Sequence, residues 1–72
     1  MNENNLQVLH DVQFELEEMI DKVGISVLLE QIETICYEKS NHVLENWQDK
    51  QLSKDWKHNG KLIDKIISKV RI

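Results

Sequence analysis

Lys39, His42 and Asn46 follow one another at spacings of three and four, which puts an ammonium, an imidazole and a carboxamide in one row of a helix. The row continues the side on which Leu28, Ile32 and Ile35 lie, so polar groups run along the edge of an apolar face. Such an edge could hold an anion or a carboxylate, and a small-ligand site here would need His42 exposed in a concavity. The competing reading is structural: Lys39 lays its methylene stem over the core with its ammonium in water, while His42 and Asn46 bond backbone groups. That reading is favoured, because a buried lysine is costly unless paired.

Other chemistry is weaker. His10, His42, His58 and Cys36 include no pair at metal-ligand spacing, so neither a metal nor another cofactor is expected. Cys36 and His42 are six apart and point to different parts of the helix, which excludes a nucleophilic dyad. A glycine-rich phosphate loop is also missing, and so small a domain has little room for a deep pocket. No enzymatic activity is expected.

Three surfaces could carry binding instead. The corner residues Trp47 and Asp49 adjoin the Lys39–His42–Asn46 edge. Tyr37 and Leu44 lie seven apart on an otherwise acidic face and suggest an exposed contact patch. Lys50, Lys54, Lys57, Lys61, Lys65 and Lys69 form a stripe that could meet phosphates, an anionic membrane, or the acidic remainder of the chain. Nucleic acid is disfavoured by an overall net charge of −4, and a membrane by the need for the apolar face in a core.

The elements that position these residues are helices. From Ile25 to Asp49 the residues Leu28, Leu29, Ile32, Ile35, Cys36, Val43 and Trp47 wind onto one side of a 3.6-residue period, with Ser26 as the expected N-cap. This predicts a helix of about five to six turns. Before it, Leu6 to Leu16 fits both a two-residue and a helical period, and a first helix is placed at about Phe14 to Val23, ended by Gly24 at positive φ. Residues 1–13 are left as a segment of unassigned structure, with Met1 to Asn5 polar and expected to fray. Gln48 and Asp49 make a corner, Asp49 caps a third helix, and Gly60 is expected to kink or break it.

The chain has no proline, two glycines and four aromatics in 72 residues, which excludes turn-rich sheets. All-α is therefore expected: a small three-helix bundle with short connections, residues 14–72 forming a single domain. Its core would be Leu16, Met19, Ile20, Leu29, Ile32, Cys36, Val43, Trp47, Trp56, Ile63 and Ile67. That is thin for one chain, and dimerisation would help. Charge is divided, because up to Asp49 only Lys22 and Lys39 oppose eleven acidic residues, whereas from Lys50 onward only Asp55 and Asp64 oppose seven basic ones. Neither a secretory signal nor a membrane-length apolar run is present, and Cys36 reads as a small core residue, so a cytoplasmic location is expected.

The run ICYEKSNHVLENWQD followed by Trp56, with DKVG and GIS before it, resembles a group of short bacterial proteins of unassigned function, found in photosynthetic and other bacteria. The resemblance spans roughly residues 14–70 through Gly24, Cys36, Lys39, His42, Asn46, Trp47, Gln48, Asp49 and Trp56. It implies a helical fold and draws attention to the NWQD corner. The group has a helix-favouring residue where this chain has Gly60, and no activity to transfer. The expectation is a non-enzymatic protein-interaction module with an unidentified protein partner or a second copy of itself, and polyanion binding through the lysine stripe as the alternative.

Overall fold

The computed structural model describes the backbone of residues 3–72 and the side chains of residues 5–72. Two helices account for almost all of it: α1 from Glu3 to Trp47 and α2 from Lys50 to Ile67. Within α1, Gly24 alone leaves helical geometry, at φ 82° and ψ 168°. That region of backbone space is open essentially to glycine only. Since one residue makes the break, Ser26 lies inside the helix instead of capping it.

The three-helix bundle is thereby corrected to a two-helix hairpin that carries an arm. A straight 45-residue helix would be about 67 Å long, yet the molecule measures 36 × 35 × 17 Å. The chain turns a corner at Gly24. Its radius of gyration is 14.8 Å, against about 11 Å for a compact chain of this length. The part of α1 before Gly24 is an arm that stands off the hairpin. Antiparallel return takes a loop of 2–5 residues, and a single glycine cannot supply one. Of the arm residues expected in the core, Leu16 is 39% and Met19 45% exposed, while Ile20 is half-buried.

The arm also begins earlier than its sequence suggests. Helix runs from Glu3, so the ambiguous stretch Leu6 to Leu16 resolves in favour of the helical period, and most of residues 1–13 belong to α1. Fraying of residues 1–2 lies outside the described residues.

The hairpin is closed by a seam of mostly small side chains. On α1 the seam is Ser26, Leu29, Glu33, Cys36, Ser40 and Val43, at alternating spacings of three and four, with the half-buried Leu28 and Tyr37 at its two sides. Ser53, Trp56, Gly60, Ile63 and Ile67 repeat the same alternation on α2. This is the period of helices that wrap on one another. Ser40 Oγ donates to the Ser53 carbonyl at 2.7 Å and lies 2.8 Å from Ser53 Oγ, which satisfies two buried hydroxyls. Cys36 and Val43 are the fully buried apolar side chains among the described residues. Ile32 is 36% exposed and Trp47 66%, so neither fills the expected core.

Gly60 does not kink α2, which continues unbroken to Ile67. A Cβ placed there would stand 3.0 Å from Cε1 and Cζ of Tyr37. The tyrosine ring packs against the bare backbone of Gly60. Absence of a side chain is what the site requires, and this packing offsets the roughly 1 kcal/mol that glycine costs a helix. At the other end of the hairpin Ile72 rests on the arm joint: a Cβ on Gly24 would come within 2.6 Å of the Ile72 carbonyl oxygen.

Candidate functional site

The corner is built by two local devices. Gln48 takes φ 53° and its N–H bonds the Leu44 carbonyl at 3.1 Å, while the Asp49 N–H reaches the Val43 carbonyl at 3.3 Å. This left-handed residue ends α1. Asp49 then caps α2, as its sequence position predicts, with Oδ1 accepting from the Leu52 N–H at 3.0 Å.

Just before the corner, Asn46 donates through Nδ2 to the His42 carbonyl at 3.0 Å and to His42 Nδ1 at 3.1 Å. The Asn46 amide thereby holds the Nδ1 edge of the imidazole. The Trp47 ring meets the His42 ring edge-on, with centroids 5.8 Å apart and an interplanar angle of 75°. His42 is thus oriented by Asn46 and Trp47 together. Both are exposed, Trp47 strongly. Beside them an open groove of about 320 Å³ is lined by Ile35, Glu38, Lys39 and His42. The structure brings Lys39, His42, Asn46 and Trp47 together on one side, and Asp49 serves the cap.

Tyr37 and Leu44 do not form the free patch that their spacing suggests. Tyr37 is half-buried on Gly60, and only Leu44, 43% exposed, remains available. Burial, and then the charge of Glu33 and Asp64, pushes the Tyr37 hydroxyl pKa up. Glu33 in the seam has its carboxyl pushed above the ordinary carboxylate value, first by burial and then by the Asp64 carboxylate across the hairpin.

Helical geometry sorts the remaining surface. In an antiparallel pair, the residues one position before each seam residue fall on the same flank of both helices. On α1 these are Ile25, Leu28, Ile32, Ile35, Lys39 and His42; on α2 they are Leu52, Asp55, Asn59, Leu62 and Ile66, so the apolar residues of α2 lie at its two ends. Ile35, Leu62 and Ile66 are 47–48% exposed and Ile25 is 39% exposed. The result is an apolar flank that grades into the Lys39–His42–Asn46 row. The opposite flank carries Glu30, Tyr37 and Leu44 with Lys54, Lys57 and Lys61. Spacings of four carry the lysine stripe around the helix, so Lys65 and Lys69 pass over its outer side toward the apolar flank. All six lysines of the stripe are exposed.

Reading the apolar stripe as the core missed this flank. The usable signal was the row of small residues, Cys36, Ser40, Ser53 and Gly60, which marks where two helices can approach closely. The arm adds a second exposed stripe: Leu9, Val12, Leu16, Met19 and Val23, again at alternating spacings of three and four. Among the described residues no group of three or more His, Cys, Asp or Glu side chains could hold a metal ion. No helix among them is long and apolar enough to cross a membrane.

Comparison with models of protein families, with curated proteins and with solved structures returns no match.

Proposed function

We propose that the chain is a non-enzymatic helical interaction module of the cytoplasm whose first partner is a second copy of itself. One observation carries this: the apolar flank and the arm stripe stand exposed while the seam buries only two apolar side chains fully. A domain this small has little stability to spare, and covering those stripes would supply what the seam lacks. Exposed apolar residues in contiguous rows are the usual mark of a contact surface. The single thiol, Cys36, is buried in the seam, which suits a reducing compartment. The Lys39–His42–Asn46 row with Trp47 borders the flank and would form its polar rim.

Sedimentation equilibrium of the purified chain at low and high salt tests the reading. A dimer at micromolar concentration is expected. A monomer at all concentrations up to the millimolar range would refute it.

Polyanion binding by the six exposed lysines is the second reading. A drop in nucleic-acid affinity that scales with the logarithm of salt concentration would support it. It is the weaker one, because the chain carries a net charge of −4 and the arm is acidic.

A further inference from the structure

We infer that two copies exchange arms, the apolar stripe of each arm seating on the apolar flank of the other copy's hairpin. This rests on the proposed self-association and specifies its geometry.

Three observations select that arrangement. The first is the joint. The arm does not turn back on its own hairpin, because Gly24 alone separates them, too short a joint for an antiparallel return, and the Ile72 carbonyl packs against that joint. A hinge too short for return is the situation in which an element is exchanged between copies instead.

The second is charge. Asp11, Glu15, Glu17 and Glu18 flank the arm stripe, opposed by Lys22 alone. The apolar flank holds Lys39 and Asp55 and is bordered by Glu38 and Lys65, with Lys69 just beyond the end of α2, so its excess is basic by one. Pairing arm with arm would face acid with acid, and pairing flank with flank would bring together two surfaces of mixed charge with no net attraction. Arm on flank is the pairing that sets opposite charges against each other, and like charges in register cost specificity and affinity.

Dimensions are the third. The arm from Glu3 to Val23 is about 31 Å long, and the flank from Ile25 to Asn46 about 33 Å. Both stripes repeat at three and four, so knobs of one can enter holes of the other. A stable interface takes on the order of 20–30 residues a side, and each copy contributes both an arm and a flank. The contact is reciprocal, so it closes on a twofold axis and stops at two copies.

The test is complementation between two full-length variants. One carries Leu16→Asp and Met19→Asp on the arm; the other carries Leu62→Asp and Ile66→Asp on the flank. All four side chains are exposed in the single chain, and circular dichroism of each variant checks that the helices persist. Self-association of either variant alone should weaken by at least roughly tenfold. Mixed, the two should form a heterodimer, because the flank-broken copy offers an intact arm to the intact flank of the arm-broken copy. Size-exclusion chromatography of the mixture, one variant fluorescently labelled, reads this directly. If the native chain is a dimer and the mixture does not associate, or the arm variant dimerises unimpaired, the exchange of arms is overturned while self-association stands. If the native chain is a monomer, both fall.

Discussion

At the scale of single residues, the hairpin depends on side chains that are small or absent. Gly60→Ala gains about 1 kcal/mol of helix propensity but drives a methyl group into the Tyr37 ring, and overpacking costs about 1–3 kcal/mol. The substitution should therefore be neutral or destabilising in the native chain, and stabilising by about 1 kcal/mol in a Tyr37→Ala background. A double-mutant cycle by urea denaturation measures that change of sign. Additive effects would mean that the ring does not occupy the glycine's space. Glu33 makes the second case. Its carboxyl pKa is raised in the folded chain by burial and by Asp64, from an ordinary value of 4.5. A raised acid stabilises the fold when protonated, so this contribution is present below pH 4.5 and is lost as pH rises through the folded value. Glu33→Gln should therefore be more stable than the native chain at pH 7, with the advantage shrinking on acidification. Equal melting temperatures at pH 7 would contradict it.

Two elements turn on backbone conformation. The end of α1 is made by Gln48 at φ 53°, where a non-glycine residue pays about 1–2 kcal/mol. Gln48→Gly should raise stability by about 1 kcal/mol, read from the urea midpoint, since it keeps the cap bonds and removes the strain. A loss of stability would show that the Gln48 side chain holds the corner. Gly24→Ala acts at the other joint. Alanine cannot take φ 82° with ψ 168°, and its Cβ would strike the Ile72 carbonyl. The cheapest escape is continuous helix. Small-angle scattering at high dilution should then show the longest dimension growing from 36 Å toward the roughly 67 Å of a straight α1. An unchanged profile would mean that the joint does not depend on glycine.

For the whole molecule, self-association makes stability depend on concentration. A partner that binds only the folded chain stabilises it by mass action, so the thermal midpoint should climb as the protein is concentrated from micromolar to millimolar. A midpoint independent of concentration would point to a hairpin that stands alone. The sequence by itself determined that the chain is helical, that Gly24 and the Gln48–Asp49 corner interrupt it, and that Asp49 caps the next helix. Those features are local: each follows from period, cap chemistry or the φ that a residue tolerates. The candidate row Lys39–His42–Asn46 was legible for the same reason, since spacing on one helix fixes a shared face.

What only the tertiary structure decided is which face of each helix meets the other. The sequence stripe of large apolar residues and the row of Cys36, Ser40, Ser53 and Gly60 sit one position apart, and periodicity favours the larger residues. Packing favoured the smaller ones, because their size lets two backbones approach and lets Ser40 and Ser53 satisfy each other. That choice kept Leu29, Trp56, Ile63 and Ile67 in the seam but turned Ile32, Ile35, Leu62 and Ile66 outward, placed Tyr37 on Gly60 instead of in a patch, and left the apolar flank exposed. Nor could spacing reveal that the arm of α1 would stand away from the hairpin. The direction of a helix beyond a one-residue joint depends on two dihedral angles and on Ile72, a residue 48 positions further along the chain.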